Sequence, residues 1–221
     1  MNKVATDAES VFAHLADQNI STQEKGLRLE RFIKRYLQTA LPYATDLDQV
    51  WLWSEWPDRW GQDTGIDLVA REAGSGDYWA IQCKFYEPGQ SLPKEGIDAF
   101  LAASGKTFTT SDGIERRFKN RLIVSTTNKW TTNARKTLEG QDPPVQTLGI
   151  EQLDESRIDW QRFYWDQPDR LPEAPVKTLR NHQQEAYNAV VGGLSSADRG
   201  QMIMACGTGK TFTALRIAEA E

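Results

Sequence analysis

The fold of this chain depends on the stretch Gly65-Ile66-Asp67-Leu68-Val69-Ala70, the turn Gly74-Ser75-Gly76-Asp77, and the following stretch Tyr78-Trp79-Ala80-Ile81-Gln82-Cys83-Lys84-Phe85. A glycine-rich turn between two apolar runs predicts a β-hairpin. Side chains alternate between the two faces of a strand. The second strand is therefore expected to have a solvent face with Ala80, Gln82 and Lys84, and a core face with Trp79, Ile81, Cys83 and Phe85.

Three polar side chains of this hairpin are expected to converge on its solvent face. Asp67 supplies a carboxylate from the first strand, and Gln82 and Lys84 supply an amide and an ammonium from the second. Hard oxygen ligands suit Mg²⁺, and a lysine beside them can orient a water or balance the charge that develops on phosphorus. The pattern therefore predicts hydrolysis of phosphodiester bonds.

The order Gly-x-Asp, hairpin, Gln-x-Lys resembles the PD-(D/E)xK nuclease superfamily, and within it the Mrr-like branch in which Gln replaces the middle acid. That branch also uses a Glu from an earlier helix, and Glu30 in Lys25-Gly26-Leu27-Arg28-Leu29-Glu30-Arg31-Phe32 matches it. The paired Pro and Asp of the superfamily's name are absent here. The resemblance implies an α/β sandwich, a mixed central sheet flanked by helices, with catalytic Asp67, Gln82, Lys84 and Glu30. It also implies metal ligation by Asp67, Glu30, Gln82 and the backbone carbonyl of Cys83.

A second motif lies near the other end of the chain. Gly207-Thr208-Gly209-Lys210-Thr211 follows the apolar run Met202-Ile203-Met204-Ala205 and precedes a helical pattern. Strand, glycine loop and helix N-terminus form the context of a phosphate-binding loop, in which backbone amides hold phosphates, the lysine reaches the terminal ones and the threonine hydroxyl ligates magnesium. The sequence therefore predicts an ATP site with Gly207, Thr208, Gly209, Lys210 and Thr211.

This segment resembles superfamily 2 helicases and translocases, which tolerate Met204 where the strict motif has Gly. Upstream, Leu179-Arg180-Asn181-His182-Gln183-Gln184-Glu185-Ala186 is similar to the adenine-reading Q motif of that superfamily. By this match Gln183 reads the base. The resemblance implies a RecA-like P-loop domain that is truncated after its first motifs.

The organisation between the motifs follows from periodicity. Helices are expected around 7–20, 22–41, 97–104 and 130–138, and strands at 121–127 and 145–148. The tryptophan-rich segment 50–60 is expected to pack in the core or beneath a loop. Polar, proline-bearing sequence after 160 predicts a linker. The predicted domains are a nuclease at 1–160, a linker at 161–178 and the start of an ATPase at 179–221.

Composition adds broader limits to these expectations. The chain has 221 residues and a net charge of −5, which argues against a protein that coats nucleic acid. Residues 101–140 nevertheless contain eight Lys or Arg against three acids, and this excess either follows a phosphate backbone or is an ordinary solvated face. Neither a signal peptide nor a clustered cysteine site is apparent, so a cytoplasmic protein is expected. A prokaryotic origin is implied by the resemblance described next.

Together the two halves resemble the Type ISP restriction-modification enzymes, including the segments Gln82–Pro88 and Ser125–Trp130. We therefore expect this chain to be the N-terminal piece of a longer polypeptide. The resemblance implies Mg²⁺, ATP for the motor and S-adenosylmethionine for a later adenine methyltransferase. It also implies double-stranded DNA and a second copy of the enzyme as partners. Two alternatives remain: a non-catalytic domain that grips DNA for a helicase or repair translocase, and a methylation-dependent nuclease.

Overall fold

The computed structural model describes residues 6–61, 65–175, 178–205 and 208–219. The chain divides into two compact units, Met1–Ala174 and Pro175–Glu221. No helix in the described ranges has both the length and the apolar character that a membrane span requires.

The first unit contains six helices, six strands and two 3₁₀ turns among its described residues. In chain order these elements are α1 (Ala8–Asp17), α2 (Thr22–Thr39), α3 (Tyr43–Asp46), β1 (Leu47–Leu52), a 3₁₀ turn (Trp53–Glu55), β2 (Leu68–Glu72), β3 (Tyr78–Lys84), α4 (Glu95–Ser104), β4 (Thr107–Thr109), β5 (Glu115–Ser125), α5 (Thr132–Leu138), β6 (Val145–Leu148), α6 (Ile150–Asp154) and a second 3₁₀ turn (Trp160–Arg162). Strands β1 and β4 and the first half of β5 were missed in the sequence, because their polar and aromatic residues do not alternate regularly.

The strands form one mixed sheet in the order β1-β2-β3-β5, and the far edge of β5 pairs first with β4 and then with β6. The predicted hairpin is confirmed, since β2 and β3 pair antiparallel with Leu68 opposite Ile81. Strand β3 is parallel to β5, with Lys84 opposite Ser125. The start of β2 and the ends of β3 and β5 therefore meet at one edge of the sheet.

Apolar cores cover both faces of the sheet. Helix α2 packs Leu29, Phe32 and Ile33 on the face that carries Trp79 and Ile81. Helix α4 packs Ile97 and Phe100 on the face that carries Val69 and Ala80. The alternation along β3 was predicted correctly, but the face of Ala80 and Gln82 is buried rather than solvent-exposed. The reason lies in the tertiary structure, because α4 packs across this face of the sheet. The mixed α/β sandwich expected from the resemblance is confirmed.

The ends and flanking segments of these elements follow local chemistry. The hydroxyl of Ser21 accepts a hydrogen bond from the Glu24 N–H at 3.1 Å and so caps α2. The tryptophan-rich segment packs in the core as expected, with Trp53 and Trp56 buried and their ring centroids 5.4 Å apart.

The segment 161–174 differs from the linker that the sequence suggested. Phe163 is buried against Phe32 and Trp165 against Phe12, and the Trp165 indole donates to the carbonyl of Val11 at 2.8 Å. The Ala174 N–H donates to the carbonyl of Arg157 at 2.8 Å. Prolines and acids suggested a linker, whereas the aromatic side chains among them complete the core beside α1 and α2.

The second unit contains α7 (Asn181–Leu194) and α8 (Lys210–Ala218), which pack against each other. The strand predicted at 202–204 is absent, and Ile203 is 84% exposed. A strand needs a neighbour for its backbone hydrogen bonds, and the described part of this unit contains no other strand.

Candidate nuclease site and phosphate loop

The hairpin residues singled out in the sequence lie at the sheet edge where β2 begins and β3 ends. Asp67 immediately precedes β2, whereas Gln82 and Lys84 belong to the last three residues of β3. Because β2 and β3 are antiparallel, these positions are neighbours across the hairpin. Helix α2, which carries Glu30, packs on β1 and β3.

Asp67 is held at both its backbone and its side chain. Its N–H donates to the carbonyl of Ile81 at 2.9 Å, and its own carbonyl accepts from the Trp53 N–H at 2.7 Å. Its Oδ2 accepts from the Cys83 N–H at 2.7 Å. The carboxylate is therefore fixed against the end of β3 rather than free to rotate into solvent.

Gln82 is buried, with 2% of its surface exposed. Its Nε2 donates to the carbonyl of Gly65 at 3.0 Å. Its Oε1 is fully buried and accepts no hydrogen bond from any described residue. A buried acceptor without a partner is destabilising by about 1–3 kcal/mol, so this oxygen would be stabilised by a hydrogen-bond donor or a cation.

Glu30 lies on the flank of the buried stripe of α2, one residue after Leu29, and is half-buried. Burial, followed by the charge of Asp67, raises the pKa of Glu30 to about 8. The second cause is an electrostatic interaction between the two carboxyl groups. Two carboxylates in such a place repel one another unless a proton or a cation lies between them.

The pKa of the Cys83 thiol depends on the charged groups around it. Burial raises the pKa of its thiol well above the ordinary value, the charges of Asp67 and Glu30 raise it further, and the charge of Lys84 acts in the opposite direction. All three charged groups thus act on one sulfur. The hairpin therefore brings Asp67, Gln82 and Lys84 together at one end of the sheet. Helix α2 packs on the opposite face from the Gln82 side chain and places Glu30 where the charge of Asp67 acts on it.

The described residues contain no group of three or more His, Cys, Asp or Glu side chains suited to a metal. The ligand set that the resemblance implies contains only two such side chains, Asp67 and Glu30, together with the amide oxygen of Gln82 and the backbone carbonyl of Cys83. Gly65 is the Gly of the Gly-x-Asp pattern, but the sequence analysis assigned it no role. Its contact with Gln82 becomes visible only in the structure, through the hydrogen bond from Gln82 Nε2 to its carbonyl.

Two of the basic residues of 101–140 have structural partners. Arg121 is buried, and its guanidinium donates to the carbonyl of Pro143 at 3.2 Å, so it is not available to a phosphate backbone. Arg116 pairs with Asp112 at 3.1 Å. Arg117 and Lys119 lie near the start of β5, roughly 20 Å along the strand from Lys84 at about 3.3 Å per residue. These four residues are therefore not placed beside the end of β3.

The phosphate-loop motif of the second unit is only partly described, since Gly207 lies outside the described residues. Gly209 has φ of +81°, a left-handed conformation that favours glycine, and α8 begins at Lys210. The Lys210 ammonium donates to the carbonyl of Met204 at 3.0 Å. Thr208 precedes the helix, and the side chain of Thr211 in its first turn is exposed.

Gln183, predicted to read adenine, lies beside this loop. Its Nε2 donates to the carbonyl of Thr208 at 2.9 Å, and its Oε1 accepts from the Arg180 N–H at 2.9 Å. Both functional groups of the amide are therefore engaged by the backbone of the unit itself. Reading a base with this side chain requires at least one of these bonds to be exchanged.

Comparisons with known proteins agree with both halves. Residues 38–170 match a family described as restriction endonuclease, of the Mrr catalytic type, and residues 176–220 match one described as Type III restriction enzyme, res subunit. No curated protein matches. A solved structure described as the ATP-dependent Type ISP restriction-modification enzyme LlaBIII bound to DNA is 35% identical, with a TM-score of 0.70. The match covers 95% of this chain but 13% of that one.

Proposed function

Since the chain belongs to the Mrr-type restriction endonuclease family, we propose that its first unit is a magnesium-dependent endonuclease domain that hydrolyses phosphodiester bonds of double-stranded DNA. The observation that carries this proposal is the buried, unpartnered Oε1 of Gln82 across the hairpin from Asp67, whose carboxylate in turn raises the pKa of Glu30. A domain that only grips DNA has no need for that combination, and burying it is costly.

The donor set fits magnesium. Two carboxylates and an amide oxygen are hard ligands, and Mg²⁺ keeps several waters in addition to one or two protein carboxylates. The mutual repulsion that raises the pKa of Glu30 is what a divalent cation relieves. We assign Asp67, Glu30, Gln82 and the carbonyl of Cys83 as the groups that would hold the ion. Bound there, it would supply positive charge to the phosphate and acidify a water.

The other roles in the reaction are assigned to three side chains of the protein. Asp67, anchored by the Cys83 N–H, keeps its carboxylate in place while substrate enters. Glu30 must lose its proton before it can act as a ligand. Lys84, at the end of β3, is the one ammonium assigned to the site; it would orient the attacking water or balance negative charge on the phosphate.

Lys84 offers the direct test of this division of roles. We expect Lys84→Met to lower the DNA cleavage rate by about 100-fold, a magnitude typical of losing one stabilising group. Magnesium affinity should be unchanged or tighter, because a positive charge near two carboxylates is removed. Cleavage kinetics and magnesium calorimetry measure the two effects.

Lys106→Met is the matched control, because Lys106 is exposed and lies beside β4, away from the end of β3. It should cleave like the wild type. Cleavage by Lys84→Met at the wild-type rate would contradict the assigned role. Loss of magnesium binding by the same variant would mean that Lys84 maintains the structure of the site instead.

For the second unit we propose the start of a superfamily 2 ATPase, within a longer enzyme of the Type ISP kind. In that enzyme ATP-driven translocation would bring two copies together on DNA before cleavage. A later methyltransferase would use S-adenosylmethionine. The support is the match of residues 176–220 and the similarity to a structure of which this chain spans only a small part.

The 221-residue chain by itself is expected to bind nucleotide poorly. Lys210 donates to the carbonyl of Met204, Gln183 is engaged at both ends, and 202–204 is not a strand. Calorimetric titration with a non-hydrolysable ATP analogue should give no saturation below about 1 mM, which corresponds to about 4 kcal/mol. Lys210→Ala should leave this weak signal unchanged. Tight, stoichiometric binding by the wild type would mean that the loop is already formed.

A further inference from the structure

We propose that Gly65 is a positioning residue for the metal site, because its carbonyl orients the amide of Gln82 so that Oε1 is presented to the ion. This inference rests on the proposed function of the site. It concerns a residue that lies outside the predicted ligand set and contributes only its backbone.

The first step concerns the orientation of the amide. A carbonyl oxygen accepts hydrogen bonds but cannot donate one, so the group that faces Gly65 must be the NH₂ of Gln82. The observed Nε2 to carbonyl distance of 3.0 Å meets this requirement. Once the nitrogen is fixed there, Oε1 must point to the other side, and it is there that it is buried without a described hydrogen-bond donor.

The second step concerns why this position is a glycine. Gly65 has φ of +77°, and a Cβ built on it would lie 3.1 Å from the Ala99 carbonyl carbon and 3.1 Å from the Phe100 nitrogen. Both contacts are with the backbone of α4, which cannot rotate away as a flexible side chain can. Only a residue without Cβ lets the chain pass α4 in this conformation and bring its carbonyl to Gln82.

The third step concerns why the site has an amide where a carboxylate would bind magnesium more strongly. An ionised glutamate at 82 would set one negative oxygen against the Gly65 carbonyl, which has no proton to offer. Glutamine avoids that repulsion and still supplies one oxygen. The Gly65 carbonyl and the identity of residue 82 are therefore coupled.

The test compares Gly65→Ala with Gly76→Ala, measured as magnesium affinity by calorimetry on the whole chain. Gly76 has φ of +73°, but no atom lies within 4 Å of its added Cβ, so it reproduces the backbone strain without the contact. Gly65→Ala should bind magnesium about tenfold more weakly, as is typical when the partner of a ligand is disturbed. Gly76→Ala should bind like the wild type. Equal affinities in all three proteins would overturn the inference.

A second measurement needs no variant and so does not depend on Gly65→Ala folding. In the ¹⁵N and ¹³C spectra of the metal-free wild type, the side-chain NH₂ of Gln82 should exchange slowly with water. Its side-chain carbonyl carbon should shift when magnesium is added, while the NH₂ stays protected. The Gln82 signals are identified by their loss in Gln82→Glu.

Failure of the inference about Gly65 can be distinguished from failure of the proposed function. If magnesium binds in an Asp67-dependent way but the Gln82 carbonyl carbon does not shift, or its NH₂ exchanges rapidly, the positioning role of Gly65 is wrong and the proposed function stands. If the site binds no magnesium at all, the proposed function fails first, and the inference fails with it.

Discussion

Replacing Asp67 by alanine is expected to abolish magnesium-dependent DNA cleavage, with a loss on the order of 1000-fold or more, at the upper end for removal of one essential electrostatic group. The carboxylate is anchored by the Cys83 N–H and is close enough to Glu30 to raise its pKa. Its loss removes one proposed ligand and leaves the Cys83 N–H without its acceptor. Cleavage is measured on plasmid DNA with the longer enzyme that we propose contains this chain, where ATP hydrolysis and translocation should persist.

Asp77→Ala is the matched control, because Asp77 lies in the turn of the same hairpin, at the opposite end of β3. It should cleave at the wild-type rate. Wild-type cleavage by Asp67→Ala would falsify the nuclease assignment. Loss of ATP hydrolysis together with cleavage would instead point to a general folding defect.

Replacing Glu30 by glutamine is expected to raise stability and abolish cleavage at the same time. Burial and the Asp67 charge raise the pKa of Glu30 to about 8, so the folded, metal-free protein is destabilised when this group ionises. At about 1.36 kcal/mol per pKa unit, reduced because Glu30 is only half-buried, the neutral amide should add on the order of 3 kcal/mol at pH 9. Cleavage should be lost because the amide cannot replace the carboxylate ligand.

The pH window follows from the direction of the shift. Near pH 4 Glu30 is protonated in both folded and unfolded states, so wild type and Glu30→Gln should be equally stable. As pH rises from about 4.5 towards 8, the unfolded state releases the proton first, and the wild type loses stability relative to the variant. Above about pH 9 the difference should stay constant. Urea unfolding across this range measures it.

Magnesium separates this explanation from a simple packing effect. Saturating magnesium should stabilise the wild type at pH 9 and leave Glu30→Gln almost unchanged, because a ligand stabilises only the state that binds it. Glu24→Gln, in the first turn of the same helix, removes the charge that pairs with Arg28 at 2.8 Å and should shift stability by only a few tenths of a kcal/mol. A pH-independent gain in Glu30→Gln would contradict the raised pKa of Glu30.

Several secondary-structure elements could be predicted from the sequence because they depend on residues that are close together in the chain. The β2–β3 hairpin follows from a glycine turn between apolar runs, and its register follows from the alternation of side chains. Helix α2 follows from its Ser21 cap and from the spacing of Leu29, Phe32 and Ile33. For the same reason the placement of Asp67, Gln82 and Lys84 at one end of a hairpin was predictable.

Other features depend on contacts between segments far apart in the chain. The polar face expected for β3 is buried because α4 covers it, and a period-two pattern does not reveal what will cover a strand. Phe163 and Trp165 belong to the core although their surroundings have the composition of a linker. The apolar run at 202–204 is not a strand, because β structure requires a partner strand.

The sequence by itself determined the hairpin, the residue types of the site and the phosphate-loop motif, since each depends on neighbours a few positions away. Only the tertiary structure decided that Glu30 comes close enough to Asp67 to share its electrostatics, that the Gly65 carbonyl fixes the amide of Gln82, and that Arg121 is buried. Burial and proximity set the pKa of Glu30 and leave one Gln82 oxygen without a partner. Both quantities are properties of packed elements, because the effective dielectric and the available hydrogen-bond partners arise only when those elements come together.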